Sequence, residues 1–99
     1  MAAVLEVLSA AAEEAREAIK WYAARNAVAA AGFEVEVRLA FDEIASAPER
    51  WPVHVEGTRR FLLDRFPYEV VYLVGADRVV VIAVAHCKRR PGYWRERAG

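Results

Sequence analysis

Ninety-nine residues, 57% of them apolar and 28% charged, give one domain with a single core over residues 1–99 and exclude a disordered chain. Glu, Asp or Arg interrupts every apolar run before the ~20 residues that a bilayer crossing needs, so no membrane partner is predicted. The formal net charge of zero hides nine acids against five bases in residues 1–50 and nine bases against five acids in residues 51–99, so an anionic partner would be drawn to the second half.

Met1 to Leu8 carries Glu6 and lacks a basic start, so no signal peptide is expected. Val4, Leu5, Val7 and Leu8 form a short β-prone run, and Ser9 follows where a helix N-cap belongs, although Ala12 stands where a capping box would need Glu or Gln. From Ala10 to about Arg25, Ala11, Ala12, Ala15, Ala18, Ile19, Tyr22 and Ala23 recur at helical spacing. Asn26 is read as the left-handed stop of that helix.

A second helix is predicted over Val28 to Ala45, with Phe33, Val37, Ala40, Phe41 and Ile44 on one face. Gly32 weakens its first turns by up to ~1 kcal/mol relative to Ala, which could move its start later. Pro48 and Pro52 end the pattern. Two such helices with a short connection predict an antiparallel hairpin whose apolar stripe needs a sheet to cover.

Three strands are predicted at about Thr58 to Leu63, Glu69 to Val74 and Val79 to His86, with turns at Phe66-Pro67 and at Gly75 to Asp77. The last run is apolar on both faces and should be an inner strand. It empties into His86, Lys88, Arg89, Arg90, Tyr93, Trp94, Arg95 and Arg97, which gathers polar chemistry at one sheet edge. The predicted order is strand, two helices, three strands, in one α+β domain.

The segment EIASAPERWP (Glu43 to Pro52), then Gly57, Arg59 and Arg60, FPYEVVYLV (Phe66 to Val74) and VIAVAHCKRRPGYWRER (Val81 to Arg97) resemble the RelE/ParE superfamily of bacterial type II toxins. The resemblance implies a helical hairpin packed on one face of a small twisted, mostly antiparallel sheet. It also implies a toxin held inactive by a cognate antitoxin in the cytoplasm. RelE-like members cut messenger RNA on the ribosome, whereas ParE-like members inhibit DNA gyrase without known nuclease chemistry. The partners implied are therefore an antitoxin and either the ribosome with its mRNA or DNA gyrase.

RNA cleavage needs a proton acceptor for the 2′-hydroxyl, positive charge for the phosphorane oxygens and an acid for the leaving oxygen. On the ribonuclease reading, taken here as the leading one, Arg60, Lys88 and Arg90 bind the scissile phosphate, His86 transfers a proton and Glu56 is a candidate base. Arg59, Arg65 and Arg89 add substrate charge, and Tyr93 or Trp94 stacks on a base. A lysine-rich segment found in some ribosome-dependent relatives has no counterpart, since residues 43–58 hold only Arg50. On the gyrase reading the same surface acts by complementarity and needs no acid and base. Each residue also has a structural reading: one of Arg59 and Arg60 paired with a helix carboxylate, His86 bonded to a turn carbonyl, Tyr68 and Tyr72 in the core, and Pro91 to Trp94 folded back as a cap on the sheet. No cofactor is expected, and the lone Cys87 makes a metal site improbable and fits a reducing compartment.

Overall fold

A computed structural model describes residues 2–98. The chain runs β1 (Leu5–Val7), α1 (Ser9–Ala23), α2 (Ala27–Ser46), one 3₁₀ turn (Val55–Gly57), β2 (Arg59–Leu62), β3 (Tyr68–Val74), β4 (Val79–His86) and α3 (Arg95–Ala98). The four strands form one sheet in the order β1-β4-β3-β2. β1 lies parallel to β4, and β2–β3 and β3–β4 are antiparallel. The predicted α+β fold and element order are those observed.

The helix boundaries follow a different capping logic from the one read in the sequence. Ser9 is the first helical residue, and the preceding position, Leu8, makes no side-chain cap. Asn26 does not end α1 in a left-handed turn. It is extended (φ −161°) and starts α2, its side-chain oxygen accepting from the backbone N–H groups of Val28 and Ala29. An Asn between two helices with a three-residue link serves the second helix, because α1 already closes on itself through Ala24, Arg25 and Asn26 N–H bonds to Lys20 and Tyr22 carbonyls. With that cap, α2 begins at Ala27 despite Gly32.

Both helices lie on one sheet face. Ala11 and Ala18 of α1 and Phe33, Val37, Ala40 and Ile44 of α2 pack on Val70, Tyr72, Val79, Val81 and Val84. At one end Tyr22, Phe33, Phe66 and Tyr68 form an aromatic cluster, the Phe33 and Tyr68 rings standing 4.9 Å apart and edge to face. Tyr72 is fully buried and donates its hydroxyl to the Pro48 carbonyl at 2.8 Å. Tyr68 and Tyr72 thus serve the core.

The opposite sheet face is also covered. Val71, Ile82, Ala83 and Ala85 bury against Trp94, with Val55, Leu8 and Ala98 around them. β4 is therefore buried on both sides, as its unbroken apolar run predicts, and the C-terminal tail supplies the second cover. Gly92 makes the reversal, its φ of +77° lying in the left-handed region that favours glycine.

Candidate functional site

The tail is placed by a register change in β4. Tyr72 lies opposite Val81 and Val71 opposite Ala83, so Ile82 is an extra residue on β4. A bulge of this kind swaps which backbone groups face each side of the strand. β1 pairs with β4 only as far as Val81. Beyond it the open edge is closed by side chains, the Val84 N–H donating to Glu14 Oε1 at 3.0 Å and the Ile82 carbonyl accepting from Arg97 at 3.1 Å.

Glu14 is the hub of this closure. Tyr93 donates its hydroxyl to Glu14 Oε2 at 2.6 Å, and Arg97 Nη1 reaches Oε1 at 3.0 Å. The Arg89 guanidinium lies 3.9 Å from the Tyr93 ring centroid. Burial, and then the hydrogen bond and charge of Glu14, push the Tyr93 phenol well above the usual tyrosine range.

Six of the ten candidate residues come together. Arg60, His86, Arg89, Arg90, Tyr93 and Trp94 line a cleft of 80 Å³, joined by His54, Glu69 and Cys87. Trp94 is 4% exposed and has no face left for a base. That corrects the stacking role, because the bare second face of the sheet takes the indole as core. Tyr93 is partly exposed, but Arg89 lies over its ring.

The other four lie elsewhere. Arg59 faces the helix side, donating to the Trp51 carbonyl at 2.6 Å and the Glu49 carbonyl at 3.3 Å, so it braces the loop before β2. Arg65 pairs with Glu36 of α2 at 2.9 Å. Lys88 is an exposed turn residue outside the cleft lining. Glu56 is the one non-glycine residue with positive φ among the described residues (57°), and its carboxylate faces Arg95 at 3.9 Å. It does not line the cleft that holds His86.

Within the cleft the chemistry is largely spoken for. Arg60 faces Glu69 at 3.4 Å on the neighbouring strand, the one of the Arg59-Arg60 pair that points this way. It meets a strand carboxylate, and it is Arg65 that takes the helix one. His86 Nδ1 accepts the Lys88 N–H at 3.0 Å and its ring packs on Tyr68 at 5.1 Å. The partner is a turn amide in place of the turn carbonyl foreseen, and it puts the neutral ring's proton on Nε2. Lys88, Arg89 and Arg90 have no ion-pair partner among the described residues and form the exposed positive turn of the molecule. Beside it a groove of 680 Å³ runs between α1 and the ends of β3 and β4, walled by Glu13, Glu14 and Glu17 and by Trp21, Tyr22 and Tyr68. His86 and Arg89 line it too, and two of its carboxylates are paired, Glu14 with Arg97 and Glu13 with Arg16.

Sequence reading missed His54 and Glu69. His54 enters the cleft because its own N–H bonds to the Thr58 carbonyl at 2.6 Å, folding the loop back on β2. Glu69 is legible only once the β2–β3 register sets it opposite Leu62 and beside Arg60. Among the described residues no group of three or more His, Cys, Asp and Glu is placed to hold a metal ion, and no helix is long and apolar enough to cross a membrane.

A helical hairpin on a four-stranded sheet with a basic turn after the last strand defines a small toxin fold of the RelE/ParE type. The sequence matches the model of the family described as "ParE toxin of type II toxin-antitoxin system, parDE" over residues 5–91, and the chain belongs to that family. Among solved structures it is similar to a chain of the chromosomal ParDE TA system from P. aeruginosa. The two share 15% identity and a TM-score of 0.76, covering 85% of this chain and 95% of that one, a likeness of fold. Compared with curated protein sequences, the chain has no match.

Proposed function

We propose that this toxin acts in the cytoplasm as an inhibitor of DNA gyrase, binding through its exposed basic turn, and that a cognate antitoxin neutralises it. The observation that carries the reading is the family match over residues 5–91, which is to the ParE branch. Two features of the cleft support it against RNA cleavage. Glu56 faces Arg95 and lies outside the lining that holds His86, which favours a reading that needs no acid and base pair. Trp94 is core, and Arg89 covers Tyr93, so no aromatic platform is free for a base. A gyrase-binding surface needs neither. Lys88 and Arg90 supply uncompensated charge at the end of a rigid strand, which favours contact with an acidic protein surface or with gyrase-bound DNA.

Induced expression without antitoxin, followed by primer extension on translated messages and a measurement of gyrase-linked DNA breaks, tests the reading. Growth arrest with DNA breaks and unaltered message ends is the expected result. New cleavage ends inside translated messages, with intact DNA, would overturn it in favour of the ribonuclease.

A further inference from the structure

β1 pairs with β4 only as far as Val81, so the rest of that β4 edge lies open beside α1. The Cys87 N–H donates to the Pro67 carbonyl, and the register pairs Ala85 with Glu69 and Ala83 with Val71. In an antiparallel ladder the hydrogen-bonded pairs alternate, so Ala83, Ala85 and Cys87 face β3, while Val84 and His86 turn their backbone groups the other way. The Val84 N–H donates to Glu14, and the His86 carbonyl accepts from the Arg89 N–H. The Val84 carbonyl and the His86 N–H are left without a hydrogen-bond partner among the described residues.

Val84 and His86 both line the 680 Å³ groove, which continues over Ala18, Tyr22, Pro67 and Tyr68. A space of this size, with apolar and aromatic walls and a few polar groups, has the form of a small-molecule site. Trp21, 52% exposed, forms part of the wall, and the Arg25 guanidinium, from outside the lining, stands 3.8 Å from an indole ring centroid. The indole thus already attracts one cation. One turn along α1 from Glu14, Glu17 lines the groove with no ion-pair partner among the described residues. The basic groups of the lining are engaged elsewhere. Arg89 lies over the Tyr93 ring, which is not part of the groove, and His86 Nδ1 accepts the Lys88 amide.

We propose that this groove binds an arylalkylammonium, a small molecule that carries a protonated amine on a short chain from an aromatic ring. The ammonium donates to the Glu17 carboxylate and the Val84 carbonyl, and the ring lies against Tyr22 and Tyr68. A neutral ligand would leave Glu17 uncompensated, and an anionic one would be opposed by it. Lys88 and Arg90 lie outside the lining, so the inference does not depend on the gyrase target.

Titration of the purified full-length toxin with phenethylammonium chloride, followed by NMR, tests this. The Val84 and His86 amides and the Trp21 indole N–H should shift and saturate with a dissociation constant at or below about 1 mM. The Leu62 amide, on the strand at the opposite edge of the sheet, should stay in place. The uncharged analogue 2-phenylethanol should bind at least about tenfold more weakly, and Glu17→Gln, an exposed position, should weaken phenethylammonium about fivefold or more without changing the alcohol. Butylammonium, a copy of a lysine side chain, should also bind at least about fivefold more weakly than phenethylammonium. Shifts that never saturate, equal affinity for the alcohol, or full affinity in Glu17→Gln would refute the proposal. Butylammonium binding as tightly as phenethylammonium would refute it too, by making the natural occupant a lysine of a partner protein.

Discussion

Tyr93 donates its hydroxyl to Glu14 at 2.6 Å, joining two residues that lie 79 positions apart in the chain. The bond ties the C-terminal reversal to α1 across the open half of β4, and the same carboxylate caps the Val84 N–H and holds Arg97. Tyr93→Phe should lower stability by about 1.5–3 kcal/mol, the range for a hydrogen bond to a charged group. Glu14→Ala should cost more, about 2–4 kcal/mol, because it also leaves Arg97 and a buried amide unpaired. Denaturant unfolding of the two variants checks the order.

The same contact sets an alkaline limit. The Tyr93 phenol is held above its ordinary value, so the folded state favours the protonated form. Its contribution is whole below the unfolded phenol value near ~10 and is lost as pH rises above it. Chemical unfolding between pH 8 and 11 should show stability falling at the alkaline end, with a shallower fall in Tyr93→Phe. Equal slopes would remove Tyr93 as the cause.

Gly32 offers a stabilising change. A Cβ there would meet Phe66 Cζ at 3.6 Å, an ordinary van der Waals contact, and no positive φ is required. Gly32→Ala should therefore raise stability by about 0.5–1 kcal/mol through helix propensity. Gly92→Ala should do the reverse, by about 1–3 kcal/mol, since its φ of +77° strains any L side chain. Thermal melts of the pair should move in opposite directions.

The basic turn and the histidine should separate in function. Lys88→Glu with Arg90→Glu should abolish growth inhibition, because both side chains are exposed and lack ion-pair partners among the described residues. His86→Ala should leave growth inhibition intact, since its Nδ1 is engaged with the Lys88 amide and no acid or base is needed. Plating after induction without antitoxin reads both variants.

The fold was legible because apolar periodicity carries it. The stripe of Phe33, Val37, Ala40 and Ile44 and the unbroken run from Val79 to Ala85 each name a buried surface. Asn26 was misread because an Asn between two helices serves equally as a stop or a cap, and only the φ of −161° decides. Trp94 lies where the reading of Pro91 to Trp94 as a folded-back cap puts it, and counting faces gives the reason. A strand apolar on both sides needs two covers, the helical hairpin supplies one, and the tail is the remaining candidate for the other. The cleft was half legible. The alternation of Arg59 and Arg60 correctly allows only one of them inside, whereas Glu69, His54 and the position of Glu56 depend on strand register and on a left-handed turn, which residue types alone do not encode.

The central claim is a gyrase-directed toxin, and supercoiling by purified gyrase measures it most directly. Added toxin should block conversion of relaxed plasmid to the supercoiled form, the block should be relieved by antitoxin, and His86→Ala should inhibit as well as the unaltered chain. Undiminished supercoiling at a large excess of folded, growth-inhibiting toxin would contradict the account.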